Sequence, residues 1–172
     1  KKLNIIYNST IFSAIDGSHE AKINNNVVEL KMNDISTIKK IENDYFLDTG
    51  SPHYVSLRSH ISQIDVQKEG SFIRNNDIFK KEGVNVNFVE ICDENHFSIR
   101  TYERGVEAET LSCGTGATAV AIAMHACKKT FSNNLIIKTR GGNLKVNFSE
   151  NSSNYSDIWL SGPSKFIFQG IY

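Results

Sequence analysis

The 172-residue chain carries nineteen basic and nineteen acidic residues, so it lacks the charge signature of a nucleic-acid or polyanion binder, and the partner it implies is small. At this length it can bury a real core, in one domain or one and a half. Three cysteines, Cys92, Cys113 and Cys127, odd in number and widely spaced, argue against a disulfide framework and a zinc site and point to a reduced, cytoplasmic setting. The longest apolar run, Ala119 to Met124, is far short of a membrane span, and no signal-peptide pattern opens the chain.

From Thr10 to Met32 apolar residues alternate around Asp16-Gly17 and the Asn24-Asn25-Asn26 loop, which predicts a β-meander. Tyr45 to Asp48 reads as a strand running into the turn Thr49-Gly50-Ser51-Pro52-His53, then Tyr54 to Leu57, with His53 at the mouth of that second strand. Gly70 to Glu82, apolar at Phe72, Ile73, Ile78 and Phe79 and stopped by Gly83, predicts a short amphipathic helix. Val84 to Ile91 and Phe97 to Tyr102 predict a hairpin. Ala117 to Lys129, alanine-rich and apolar at almost every position before its basic end, predicts a buried helix with two lysines in its last turn. Strands follow over Leu135 to Thr139, Leu144 to Phe148 and Asp157 to Gly162, and the tail Lys165 to Tyr172 reads as a last strand reaching back to the first meander. The fold class is α+β: a curled, mostly antiparallel sheet or barrel wrapped around one central helix.

The segments on either side repeat each other. Lys1-Lys2, linker, strand, glycine turn, strand, polar loop, strand is matched by Lys128-Lys129 and the strands that follow, with Val28 to Asn33 aligned on Asp157 to Gly162. The repeat predicts an upstream helix, headed by its own cysteine, ending just before Lys1.

Chemistry concentrates ahead of the central helix, in Glu103-Arg104-Gly105-Val106-Glu107-Ala108-Glu109-Thr110-Leu111-Ser112-Cys113-Gly114-Thr115-Gly116. Bare amides at a helix start cradle a carboxylate or phosphate. The positive end of the dipole is expected to lower the Cys113 pKa, making it a nucleophile or general base. The plain alternative is a small buried residue before a helix. A catalytic role requires the sulfur to open on a cleft shared with His53 and Glu103. No histidine pair has metal-ligand spacing, so no metal is expected.

Glu103-Arg104-Gly105, Glu109 to Gly116, the Thr49 to His53 turn and Asn85-Val86-Asn87-Phe88 occur in an order that resembles diaminopimelate epimerase, from about Phe12 to the final strand. The resemblance implies cofactor-free, pyridoxal-phosphate-independent epimerisation of LL-2,6-diaminopimelate to the meso form in lysine and peptidoglycan-precursor biosynthesis, with one cysteine removing the α-proton and another delivering one. It casts Cys113 as one of that pair, His53 and Glu103 as assisting groups, Ser51, Asn85, Glu103 and Arg104 as substrate contacts, and Gly114 and Thr115 as amide donors to the reacting carboxylate. It divides the chain into residues 1–33, the remnant of an N-terminal domain, residues 34–164, a C-terminal domain, and residues 165–172, a strand returning to the first. The missing N-terminal half, carrying the second cysteine, is the partner this implies; a homodimer is compatible with it, nucleic acid and membrane are not. Ser51 stands where the family usually has Asn, one extra residue separates Gly105 from Glu109, and no second Cys-Gly motif is present. Cys92 and Cys127 read as core residues, so the chain alone is expected to be inactive. Two alternatives remain: a proline racemase-like enzyme, and a non-catalytic binding remnant.

Overall fold

The computed structural model describes residues 6–171. The first meander is β1 (Ser9–Ala14), β2 (Gly17–Asn24) and β3 (Val27–Lys31). Then come β4 (Ile38–Ile41), β5 (Asp44–Asp48), β6 (Pro52–Leu57), helix α1 (Val66–Arg74), β7 (Asn85–Ile91), β8 (His96–Glu103) and the short β9 (Ala108–Thr110). Helix α2 (Gly114–Ala126) leads to the second meander, β10 (Asn134–Thr139), β11 (Gly142–Asn151) and β12 (Asn154–Pro163). The strands form one sheet in the order β1-β2-β3-β12-β11-β10-β8-β7-β6-β5-β4, with β9 on β8. Only β6/β7 and β8/β10 are parallel. The row stays open, without closing into a barrel, although Ile35 and Tyr155 exchange backbone hydrogen bonds between the approach to β4 and β12.

Alternation along the strands explains the core. Leu47, Val55, Val89, Phe97, Ile99, Leu135, Ile137, Val146 and Ile158 converge on α2, where every residue from Gly116 to Met124 is buried. Alanine at four of those positions lets strands pack close to the helix. On the opposite face of β7 and β8, Val86, Phe88 and Tyr102 meet Val66 and Phe79. That period of two puts Asn85, Asn87 and Val89 on the helix side of β7.

Several expectations need correction. α1 starts at Val66, not Gly70, because the Asp65 carboxylate caps it by accepting from the Lys68 amide at 3.0 Å. It stops before Ile78 and Phe79, whose amides bond the Asn76 side chain in a separate turn. α2 ends at Ala126, and Lys128 lies beyond it at φ 59°, so His125 is the one basic residue in the last turn. Residues 165–171 form no strand: the chain emerges beside β12 and β3, each of which already has partners on both edges. Just ahead of this segment, the Ser164 amide bonds the Asn26 carbonyl at 2.6 Å.

The two meanders meet along β3 and β12, with Leu30 opposite Leu160 and Lys31 opposite Trp159. The repeat equates Leu30 with Trp159 and Lys31 with Leu160, so this seam is symmetric about its own centre. Lys1-Lys2, the start of the first copy, lie outside the described residues. Among the described residues, no helix is long and apolar enough to cross a membrane.

Candidate active site

Sheet register gathers the site at one end of three strands. His53 in β6 pairs with Asn85 in parallel β7, while antiparallel β8 passes Tyr102 opposite Val86 and delivers Glu103 and Arg104 to the same end. The start of α2 is fastened there by the Thr49 hydroxyl, which donates to the Thr115 carbonyl at 3.0 Å.

Cys113 is the N-cap of α2. Its sulfur accepts from the Gly116 amide at 3.3 Å and lies 3.4 Å from the Thr115 hydroxyl. The approach to it is pinned by the Gly141 amide, which donates to the Leu111 carbonyl at 2.7 Å. Two glycines that read as turn residues are inside the helix. A Cβ at Gly116 would sit 2.5 Å from Asn87 Oδ1, and one at Gly114 would sit 2.8 Å from Leu160 Cδ2. Close packing, not a turn, selects them. The first-turn amides of Gly114 and Thr115 precede any intrahelical acceptor and are available to an anion.

The expected lowering of the Cys113 pKa is overturned. Burial pushes the thiol up to about 11; the Thr115 and Gly116 hydrogen bonds act the other way, and Glu103, facing the sulfur, adds to the rise. Desolvation outweighs the helix start because solvent reaches only 6% of the residue. The requirement that Glu103 share the thiol's surroundings is met; an open path to the sulfur is not present in this conformation.

His53 is fully buried, deeper than the strand mouth expected for it. Its Nδ1 lies 3.1 Å from Asn87 Nδ2, which also donates to the Tyr54 carbonyl at 3.1 Å. Asn87 Oδ1 accepts from the Thr101 hydroxyl at 3.0 Å. Asn87 therefore presents N–H to Nδ1, leaving the proton on Nε2, which has no hydrogen-bond partner among the described residues. Burial first, then the Arg104 charge, brings the His53 pKa down to about 3, so the ring is a neutral donor. Asn87, which orients the His53 ring, is missing from the sequence-derived set. Its signal was there: two asparagines at alternate positions of a strand that is otherwise apolar as far as Val89.

The remaining candidates form one network. Asn85 Nδ2 donates to Ser51 Oγ at 2.8 Å and to the Pro52 carbonyl at 3.1 Å, and Asn85 Oδ1 accepts from the Arg104 amide at 2.9 Å. The Arg104 guanidinium reaches Ser51 Oγ at 3.4 Å and the Glu82 carbonyl at 2.9 Å. A cationic fork flanked by a hydroxyl and a carboxamide suits an amino-carboxylate group. Cys92, at the far end of β7, is exposed and lies 3.1 Å from Ser98 Oγ, so it is not the core residue expected. Cys127 caps the opposite end of α2.

The diaminopimelate epimerase family model matches residues 45–167. The diaminopimelate epimerase of Flavobacterium psychrophilum is 51% identical over 170 residues, covering 98% of this chain and 66% of that protein. The Chlorobaculum tepidum enzyme of the same name is 42% identical over 129 residues, covering 74% of this chain and 49% of that one. Among solved structures, a Bacillus anthracis phenazine biosynthesis protein of the PhzF family has a TM-score of 0.67 at 12% identity, covering 92% of this chain and 66% of its own. A probable proline racemase from Agrobacterium radiobacter with bound carbonate gives 0.64 at 14%, covering 93% and 59%. At such identities these two show the fold alone. The chain thus spans between about half and two thirds of these two curated relatives.

Proposed function

We propose, since the chain belongs to the diaminopimelate epimerase family, that it supplies the Cys113 side of a cofactor-free epimerase converting LL-2,6-diaminopimelate to the meso form. In this reading residues 1–33 belong to an N-terminal domain, residues 34–164 form the C-terminal one, and the second cysteine comes from sequence this chain does not contain. The observation that carries the reading is the meeting of Cys113, Glu103, His53 and the Ser51–Asn85–Arg104 network at one end of three strands, beside a helix start.

The α-carboxylate sits on the Gly114 and Thr115 amides, which stabilise the charge that spreads onto it as the α-proton leaves. Arg104, Ser51 and Asn85 hold the distal amino-carboxylate. At neutral pH the Cys113 thiol is protonated and donates to the α-carbanion. In the reverse direction Glu103 takes the thiol proton, and the thiolate removes the α-proton. The high thiol pKa makes that thiolate a stronger base, and its burial keeps water from the carbanion. Substrate entry requires the exposed Leu111-Ser112 approach to move aside.

The test places the upstream third of the Flavobacterium relative ahead of this chain and incubates the fusion with LL-diaminopimelate in deuterated water. Deuterium should enter the α-position and meso product should appear, both lost in Cys113→Ser and both absent for the chain alone. Exchange of proline instead identifies a racemase of that substrate. Binding without exchange, or exchange that survives Cys113→Ser, overturns the proposal.

A further inference from the structure

The turn between β8 and β9 follows Glu103, the last residue of β8, and begins with Arg104. Glu107 occupies the left-handed region at φ 57°, uncommon for a residue with a side chain, and its amide closes the turn on the Glu103 carbonyl at 2.7 Å. One carboxylate oxygen accepts from the Gly105 amide at 3.1 Å and from Arg74 Nε at 3.1 Å; the other accepts from the Tyr102 hydroxyl at 3.0 Å. The Glu107 carbonyl accepts from Gln67 Nε2 at 3.1 Å.

Arg74 and Gln67 both belong to α1, which is seated against this turn without room to spare. A Cβ at Gly70 would lie 2.4 Å from Tyr102 Cβ. Gly83 stands beside both Arg74 and the Arg104 stem, its ideal Cβ position 3.0 Å from Arg74 Nη2 and 2.7 Å from Arg104 Cδ.

We propose that Glu107 is a positioning residue, its carboxylate clasping the Arg104-Gly105 turn to α1 so that Glu103 is held against Cys113 and Arg104 against Ser51 and Asn85. This role rests on the site proposed above, but it can be tested without substrate. Glu107 touches neither the thiol nor the Ser51–Asn85 pair in this structure. It acts through the turn.

The readout is the pH dependence of the Cys113 carbon-13 Cβ chemical shift by NMR, assigned apart from Cys92 and Cys127, which reports the thiolate fraction without a reagent having to reach the buried sulfur, with a melting curve for every variant. Glu107→Ala frees Glu103 to leave the sulfur, so the midpoint of the Cys113 profile should fall by about one pH unit, an approximately tenfold gain in thiolate fraction below the midpoint. In a Glu103→Gln background the same substitution should produce no shift, because the charge through which the clasp acts is gone; this coupling is what a double-mutant cycle isolates. Glu107→Gln, which keeps one acceptor, should fall between. Should Glu107→Ala fail to fold, Arg74→Gln releases the clasp from the α1 side and should reproduce the shift. No shift, or an equal shift with and without the Glu103 carboxylate, overturns the proposal, since simple loosening would solvate the thiol whatever stands at position 103. A clasp confirmed in a protein that exchanges no α-protons would refute the epimerase reading and leave this one standing.

Discussion

The Cys113 thiol and the His53 imidazole, gathered at the same dry end of the sheet, are both held in their neutral forms. Burial disfavours whichever form carries charge, raising an acid like the thiol and lowering a base like the imidazole. For His53 this has a consequence for stability. Its folded pKa of about 3 lies below the ordinary value of 6.5, so between those two the unfolded chain binds the extra proton and the folded chain does not. Stability then falls as pH drops through that window, by up to about 1.4 kcal/mol per pH unit for one proton. His53→Gln, which keeps an acceptor for Asn87 and cannot titrate there, should flatten that acid limb in urea unfolding between pH 7 and pH 4. An acid limb of unchanged slope would mean that His53 takes up its proton in the folded state.

At the scale of the element, α2 shows what a sequence can and cannot disclose. Its alanine-rich, apolar run announced a buried helix, and its Cys-Gly-Thr-Gly opening the place where that helix starts, because burial and bare backbone follow from residue type. Its first turn was hidden: Gly114 and Gly116 look like a turn, and only the positions of Leu160 and Asn87 show that they are helical residues chosen for contact. The Cys113 pKa was hidden for the same reason, since it depends on what folds over the sulfur. The missing last strand likewise depended on neighbours, since β3 and β12 have no free edge to offer, whereas the Asp65 cap is local and its signal, an Asp just ahead of the helix, stands in the sequence. Gly116→Ala decides between local and tertiary preference. Alanine favours the helix by about 0.5–1 kcal/mol over glycine. The new methyl would meet Asn87 Oδ1 at 2.5 Å, on a side chain already tied to Thr101, Tyr54 and His53. The contact should win, giving a net loss of about 1–3 kcal/mol in urea unfolding. A stabilised Gly116→Ala would show that Asn87 is free to move, and with it the orientation assigned to His53.

At the scale of the whole molecule, attachments of different kinds fix the first meander to the rest, and two of them bear on the site. One is the β3–β12 seam. The other is the Asp16-Gly17 hairpin tip, where the Asp16 carboxylate lies against Gly50 in the turn that carries Ser51 and His53, so closely that a Cβ on Gly50 would be 2.3 Å from Asp16 Oδ2. His19 holds that tip. It is 5% exposed, its Nδ1 is 2.9 Å from the Lys31 carbonyl, and its Nε2 is 2.9 Å from Asp16 Oδ1. With an acceptor facing each nitrogen, the ring is satisfied only as the imidazolium, and the Lys31 carbonyl, then Asp16, raise its pKa. The sign is opposite to that of His53. The contribution is full below the unfolded value of about 6.5 and is lost as pH climbs through the raised folded pKa. The two histidines therefore bound stability from opposite sides, one failing as pH falls below about 6.5 and the other as pH rises above it. His19→Gln should abolish the decline at rising pH while leaving the acid limb of His53 in place, read as urea midpoints from pH 5 to pH 9. Loss of both limbs would show that the burial of His53 depends on the tip that His19 holds; a high-pH decline unchanged from the parent chain would show that the hairpin tip is held without the imidazolium.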